Sequence, residues 1–150
     1  MDDKTKIVQA ITTDLLDLMG VKGTISVAEN EETIKVGIET EQSGALIGYH
    51  GEGLISLQLI LNILVHKKTG SWQKVVVNVG DYREKREEYL KNLAQNAVLR
   101  VRESQRPFIL NDLSSFERRI IHMVISEEKD VESVSEGEGR ERKLVIRLRV

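Results

Sequence analysis

The 150-residue chain contains no cysteine, a single proline and only six aromatic residues, which are one tryptophan, three tyrosines and two phenylalanines. The absence of cysteine excludes disulfides, thiolate nucleophiles and cysteine-ligated zinc, and it fits a reducing compartment. No apolar run approaches the ~20 residues that a membrane span requires, and the first residues lack a basic region followed by an apolar one. We therefore expect a cytoplasmic protein without a membrane partner.

The composition is that of a soluble globular protein, long enough for one ordinary domain or two small ones. Its net charge of −2 argues against a broadly basic nucleic-acid-binding surface. The charge is unevenly distributed, however, because every arginine lies after residue 80, where 15 basic residues stand against 14 acidic ones. Since the planar guanidinium suits phosphates and stacks on bases, this asymmetry favours a nucleic-acid surface in the second part. The alternative is an ordinary solvated surface of mixed charge.

Hydrophobic periodicity divides the first part of the chain into six elements. Apolar residues at helical spacing predict helices, whereas strictly alternating or β-branched runs predict strands. In order, the elements are a helix over residues 4–19, strands over 24–28 and 33–40, a short helix at 45–47, a longer helix from 54 to about 68, and a strand over 72–79. This order of helix, strand, strand, helix, helix and strand is that of a type II KH domain.

The second part of the chain predicts two helices and three strands. Pro107 ends the first of these helices, and Ser114 with Glu117 forms a capping box that opens the second. In order, the elements are a long helix over residues 82–102, a short strand over 108–110, a helix from the capping box to about 126, and strands over 131–135 and 143–150. The whole chain is therefore predicted to have an α+β fold, in which a second, mostly antiparallel sheet follows the KH-like unit.

Gly48, Tyr49, His50 and Gly51 form a Gly-x-x-Gly loop between the short and the longer helix. Glycine lets backbone amides approach a sugar–phosphate chain closely, and the helix that follows favours negative charge at its N-terminus. A lone Gly-x-x-Gly is a weak signal, but in a KH domain this loop clamps about four nucleotides. KH loops commonly carry lysine or arginine between the glycines, so Tyr49 and His50 predict a loop that binds weakly on its own. The alternative is a simple turn in a domain used for protein contacts.

Arg118 and His122 are four residues apart on a predicted helix and therefore share one face. Phe116, Ile120, Met123 and Val124 predict a buried face that points almost opposite to them. We therefore expect the guanidinium and the imidazole to be exposed side by side.

Three further arginines extend this candidate surface. Arg119 flanks the pair, and Arg140 and Arg142 lie nearby on the closing hairpin. Such a surface suits phosphates and unstacked bases. An ordinary solvated surface is again the alternative.

Four segments, in order, carry a resemblance to a known family. They are Ile-Gly-Tyr-His-Gly-Glu-Gly-Leu at residues 47–54, Asp-Tyr-Arg-Glu-Lys-Arg-Glu at 81–87, Glu-Arg-Arg-Ile-Ile-His at 117–122 and Ser-Glu-Gly-Glu at 135–138. Over nearly its whole length the sequence resembles the Jag/KhpB (SpoIIIJ-associated) family of bacterial RNA-binding proteins. The resemblance implies a KH domain over residues 1–80 and an R-three-H domain over 81–150, named for an arginine and a histidine separated by three residues, here Arg118 and His122.

The resemblance also implies a function. Members of that family are described as single-stranded RNA binders that act in post-transcriptional control of cell elongation and division genes, often alongside a second small KH protein. The expected partners are therefore single-stranded RNA or single-stranded DNA, together with a second small KH protein or another copy of the chain. The separate N-terminal domain and linker of many members have no counterpart in this sequence.

The histidines do not support an enzymatic site. His50, His66 and His122 fall on three different predicted elements, and no His-x-His or His-Glu-x-x-His spacing occurs. We expect no catalytic residue, no metal and no cofactor. The leading hypothesis is a single-stranded RNA-binding protein, and the alternative is a protein-interaction module that pairs with another KH protein.

Overall fold

The computed structural model describes residues 3–150, which divide into two compact units, one ending at Arg83 and the other spanning Glu84–Val150. Each unit has its own three-stranded sheet and its own aliphatic core. The α+β class predicted from the sequence is confirmed. In the described part of the chain, no helix combines the length and the apolar character that crossing a membrane requires.

The first unit has the predicted order of elements. These are α1 (Asp3–Leu18), β1 (Thr24–Glu29), β2 (Thr33–Glu39), α2 (Ser43–Ile47), α3 (Glu52–Thr69) and β3 (Lys74–Val79), with a single 3-10 turn (Tyr49–Gly51) between α2 and α3. The sheet has the order β1-β2-β3, in which β1 and β2 are antiparallel and β2 and β3 are parallel. This is the helix–strand–strand–helix–helix–strand order of a type II KH-like domain.

Two threonines join the apolar residues through which helix α1 packs on the sheet. Thr5 and Thr12 are buried together with Val8 and Leu16, whereas Leu18 is exposed. The buried hydroxyl of Thr12 donates to the Val8 carbonyl oxygen at 2.7 Å, so its burial leaves no unsatisfied donor. Helical threonines can therefore occupy core positions that a hydrophobicity pattern assigns to solvent.

Side chains protect the outer edge of β3. The Asn62 amide donates to the Val75 carbonyl oxygen at 2.9 Å, and its oxygen accepts from the Val75 amide at 2.8 Å. Two residues further along the strand, the Val77 amide donates to Gln58 Oε1 at 3.0 Å, and Arg83 Nε donates to the Val77 carbonyl oxygen at 2.9 Å. Because these groups occupy the edge, another strand cannot pair there, and α3 is fixed against the sheet.

The second unit contains α4 (Tyr82–Ser104, with its first two residues in the first unit), β4 (Phe108–Leu110), α5 (Ser115–Ser126), β5 (Val131–Glu136) and β6 (Lys143–Leu148). Its sheet has the order β4-β6-β5 and is antiparallel throughout. Both helices contribute to one core, whose fully buried side chains include Leu90, Val101, Ile121, Ile125 and Ile146. The predicted antiparallel second sheet is confirmed.

An exposed ion-pair cluster joins the end of α4 to the turn after α5. Arg102 Nε donates to Asp130 Oδ2 at 2.8 Å, and the guanidinium also donates to Glu128 Oε2 at 2.6 Å. The hydrogen bond from Arg102 holds the pKa of Asp130 below its usual value. This cluster fastens the α5–β5 connection, so β5 is positioned beside α5.

Candidate nucleic-acid interface

The Gly-x-x-Gly loop has an unusual backbone. Gly48, His50 and Gly51 all have positive φ angles, of 67°, 51° and 79°. Glycine adopts this left-handed region freely, whereas for His50 it costs roughly 1–2 kcal/mol. The His50 ring stacks on Tyr49, with ring centroids 4.0 Å apart and an interplanar angle of 10°. The loop therefore holds two side chains in a fixed arrangement, and the Tyr49 side chain remains mostly exposed.

Close helix packing explains two of the glycines. A Cβ atom on Gly51 would lie 3.1 Å from the ring of Tyr82, and one on Gly53 would lie 2.6 Å from the Leu46 carbonyl oxygen. The absence of a side chain at Gly53 lets the start of α3 lie directly against the end of α2, and its absence at Gly51 leaves room for the Tyr82 ring. The role of Gly53 was not predicted, and the only signal for it in the sequence is the glycine density of this segment.

The backbone amides of the two loop glycines already donate to backbone carbonyl oxygens. The Gly48 amide donates to the Gly44 carbonyl oxygen at 3.0 Å, and the Gly51 amide donates to the Gly48 carbonyl oxygen at 3.5 Å. The amides of the two glycines are therefore committed to the shape of the loop.

Arg118 and His122 lie one turn apart on α5, and each is held by uncharged groups. The Arg118 guanidinium donates to the Leu113 carbonyl oxygen at 2.5 Å and to Ser115 Oγ at 3.1 Å. His122 Nδ1 lies 2.6 Å from Ser133 Oγ on β5. His122 is exposed and Arg118 is half-buried. The two side chains therefore point outward, and none of these three contacts brings a negative charge to the Arg118 guanidinium.

The buried face of α5 differs from the predicted one. Phe116 and Met123, which were predicted to face the core, are 66% and 60% exposed. The buried residues are instead Glu117, Ile121 and Ile125, while Ile120 and Val124 pack at the edge of the core. Arg118 and His122 therefore flank the buried face rather than lie opposite to it. The phase was ambiguous because α5 carries apolar residues around most of its circumference.

Burial of Glu117 fixes the phase of α5. Its side chain is 3% exposed, and Oε1 accepts from Arg86 Nε at 2.8 Å while Oε2 accepts from the Ser114 amide at 3.1 Å. The Ser114 hydroxyl in turn accepts from the Glu117 amide at 3.1 Å, so the predicted capping box is confirmed. A carboxylate at the start of a helix is stabilised by the helix dipole as well as by these donors.

The three additional arginines occupy exposed positions. Arg119 lies on the outer side of α5, and Arg140 and Arg142 lie in the connection between β5 and β6. Since His122 contacts Ser133 and α5 runs antiparallel to β5, Arg118 lies one helical turn towards the hairpin that carries Arg140 and Arg142. The role of Ser133 in orienting His122 was missed, because a serine in an alternating strand gives no distinctive signal.

Comparison with known families gives two matches. The KH domain of the KhpA/KhpB proteins matches residues 5–79, and the R-three-H domain matches residues 88–148. These matches agree with the element order of the two units.

Several curated proteins are similar to the chain, and each carries the name RNA-binding protein KhpB. The protein from Streptococcus pneumoniae is 37% identical over 139 residues, which are 93% of this chain and 42% of the relative. The protein from Clostridium symbiosum is 34% identical over 137 residues (90% and 62%), and that from Bacillus subtilis is 32% identical over 127 residues (83% and 61%). The chain spans about two fifths of the pneumococcal relative.

Proposed function

The chain belongs to the KhpB family, and on that premise we propose that it is an RNA-binding protein that binds single-stranded RNA through both of its domains. We place the KH domain at residues 1–80 and the R-three-H domain, including α4, at residues 81–150. The proposed contacts are the Gly48–Gly51 loop in the first domain and the surface around Arg118 and His122 in the second. Such a protein acts in the cytoplasm by binding transcripts, as a post-transcriptional regulator without catalytic activity.

The paired side chains of Arg118 and His122 carry this proposal. The hydrogen bonds of the Arg118 guanidinium to Leu113 and Ser115 use two of its five N–H groups, so three remain for a phosphate. Engagement of His122 Nδ1 by Ser133 sets the ring orientation and directs Nε2 away from that contact. A guanidinium and an imidazole presented together in this way suit one phosphate group and the sugar or base beside it.

The chemistry of the two surfaces favours a single strand over a duplex. An RNA duplex is recognised mainly by its shape across the minor groove, whereas single strands offer unstacked bases to exposed rings such as Tyr49. Neither surface alone carries many cations. Two weak sites on one chain still give useful affinity, because binding at the first raises the effective concentration of RNA at the second. Arg119, Arg140 and Arg142 add phosphate contacts near the stronger site.

A comparison of three oligonucleotides tests the proposed function. Fluorescence anisotropy with single-stranded RNA, single-stranded DNA of the same sequence and duplex RNA is expected to rank the single strands well above the duplex. Affinity should also fall steeply with salt, since phosphate contacts release counterions. Equal or tighter binding to duplex RNA would contradict the proposal, and preference for DNA over RNA would redirect it to single-stranded DNA.

The Gly-x-x-Gly loop offers a gain-of-function prediction. Tyr49→Lys replaces an exposed ring with a permanent cation, which KH loops commonly carry at this place. At low salt we expect the added phosphate contact to outweigh the lost ring, so affinity for single-stranded RNA should rise about threefold. Ala28→Lys adds the same charge at an exposed position on β1 and serves as the matched control. An equal gain from both substitutions would show that the loop contributes only through net charge.

One observation favours the second candidate function, pairing with another KH domain. Ile55, Leu59 and Ile63 lie four residues apart along α3 and are all exposed, which forms an apolar stripe on the side of the helix that faces away from the core. Trp72, stacked on His66 at 3.3 Å, continues this stripe beyond the end of the helix. A solitary surface helix normally carries polar residues on that side, so the stripe fits a protein contact.

Self-association through the stripe on α3 can be measured directly. If two copies pair through it, Leu59→Asp should convert a dimer to a monomer in size-exclusion light scattering, because the pairing would bury an unpaired carboxylate. Ala28→Asp adds the same charge at an exposed position on β1, outside this helix, and is the control. A wild-type protein that stays monomeric at high concentration would rule out the self-pairing form.

A further inference from the structure

Most aromatic residues of this protein lie on its surface, while Tyr82 and Phe108 are partly buried against the edges of the two cores. Within residues 3–150, no aromatic side chain belongs to the fully buried core, which is aliphatic in both units. Four of the six aromatic residues are more than half exposed, namely Tyr49 (63%), Trp72 (76%), Tyr89 (54%) and Phe116 (66%). Aromatic rings usually contribute large buried areas to a core, so rings kept exposed in this proportion indicate contacts with something outside the chain.

Tyr89 and Phe116 belong to one neighbourhood in the second unit. The guanidinium carbon of Arg86 lies 5.0 Å from the centre of the Tyr89 ring, and Arg86 Nε lies 2.8 Å from Glu117 Oε1. Glu117 is the residue directly after Phe116, in the first turn of α5. Arg86 therefore connects the exposed Tyr89 ring on α4 to the start of α5, where the exposed Phe116 ring lies.

These contacts hold the Tyr89 ring in place. Glu117 is buried and also accepts from the Ser114 amide, so the carboxylate that anchors Arg86 is itself fixed. Arg86 lies over one face of Tyr89, while more than half of the tyrosine remains open to solvent. A ring held in this way loses little conformational freedom when a flat partner stacks on it.

The charges beside the two rings favour a polyanion over an apolar protein surface. Arg119 is exposed three residues after Phe116 on α5, and Lys85 is exposed four residues before Tyr89 on the same side of α4. Arg86, three residues before Tyr89, is already paired with Glu117 at 2.8 Å. Glu87, on the other side of α4, is paired with Lys91 at 2.9 Å. Exposed rings beside cations are the combination that binds single-stranded nucleic acid, since every base has a face that can stack.

We propose that Tyr89 and Phe116 stack on nucleobases of the strand whose phosphates Arg118 and His122 contact. This inference rests on the proposed function and adds to it a base-contacting subsite formed by α4 and the first turn of α5. Phe116 and Arg118 are two residues apart, so they lie on different sides of the first turn of α5. Because the Arg118 guanidinium reaches back to Leu113 and Ser115, a strand that passes the N-terminal end of α5 can contact both the ring and the cation. The R-three-H domain thereby contacts bases as well as the backbone.

The test compares ordinary RNA with a base-free analogue. Phe116→Ala and Tyr89→Ala are each expected to weaken binding to single-stranded RNA about 5- to 100-fold, the effect of losing one base–aromatic stack. With an oligomer that has the same sugar–phosphate backbone and no bases, the same variants should bind as the wild type does. Phe116→Tyr keeps a ring and should retain affinity, whereas Phe116→Leu should lose it.

The control is Leu99→Ala, which removes an exposed apolar side chain about 15 Å further along α4. It should leave RNA affinity unchanged, and circular dichroism should show all variants folded. If the wild type binds RNA but the Phe116 and Tyr89 variants bind it equally well, the stacking subsite is refuted while the proposed function stands. Equal losses on RNA and on the base-free oligomer would also refute stacking. A wild type that binds no RNA would refute both.

Discussion

Replacing Arg118 and His122 together with alanine is expected to weaken binding to single-stranded RNA about 10- to 100-fold while the second unit stays folded. The variant loses the guanidinium that has three N–H groups left for a phosphate and the imidazole that stands beside it. The salt dependence of binding should become shallower as well, because fewer counterions are released. Anisotropy titrations at several salt concentrations measure both effects.

The structural cost of this double substitution is small. Removing the imidazole deprives the buried Ser133 hydroxyl of a partner, which costs roughly 1 kcal/mol and leaves a folded domain. Lys91→Ala is the matched control, since it removes one cation from α4 where Lys91 pairs with Glu87. If the double variant and the control bind RNA equally well, the Arg118 and His122 surface is not the binding site.

Gly53→Ala is expected to destabilise the first unit by about 3 kcal/mol and to lower its melting temperature by about 15 °C. The new methyl group would lie 2.6 Å from the Leu46 carbonyl oxygen and 2.9 Å from that of Ile47, and backbone atoms cannot move aside cheaply. Because the same contact sets the shape of the Gly-x-x-Gly loop, affinity for RNA should fall as well. Trp72 is the only tryptophan and lies in the first unit, so its fluorescence follows the unfolding of that unit.

Gly44→Ala is the control for this prediction. A methyl group there would meet no atom within 4 Å, and alanine forms helices more readily than glycine does. We therefore expect its melting temperature to equal or slightly exceed that of the wild type. If both variants melt at the wild-type temperature, close packing at Gly53 does not hold α2 against α3.

The sequence predicted those features that depend on local patterns. The hairpin of β1 and β2 follows from strict alternation, and Ser114 with Glu117 gave the start of α5 because the two side chains and amides satisfy one another within four residues. The order of elements was enough to predict a KH-like first unit. These features depend only on residues that are close together in the sequence, and not on the residues packed across the core.

Features that depend on tertiary contacts were predicted less well. The phase of α5 was wrong because burial of Glu117 is stabilised by Arg86, 31 residues earlier in the chain. The protection of β3 by Asn62 and Gln58 was not predicted either, since polar residues on a helix are ordinarily assigned to solvent. In each case a polar group is buried because a distant partner satisfies it.

The candidate site also has residues that local spacing predicts and residues that depend on tertiary contacts. Spacing alone placed Arg118 and His122 on one side of a helix, whereas the hydroxyl of Ser133 that orients the imidazole comes from β5 and has no marker in the sequence. The exposure of Phe116 could not be foreseen once the helix phase was misassigned. The exposed Phe116 ring therefore belongs to the part of the proposed binding surface that the sequence did not predict.

Chemical-shift mapping with single-stranded RNA tests the central claim most directly. On titration of the ¹⁵N-labelled protein, we expect the largest shifts in the first two turns of α5, at Ser133 on β5 and in the β5–β6 connection, with smaller shifts in the Gly-x-x-Gly loop. Shifts confined to the outer side of α3, with α5 and β5 unchanged at saturating RNA, would contradict the assignment of RNA binding to Arg118 and His122.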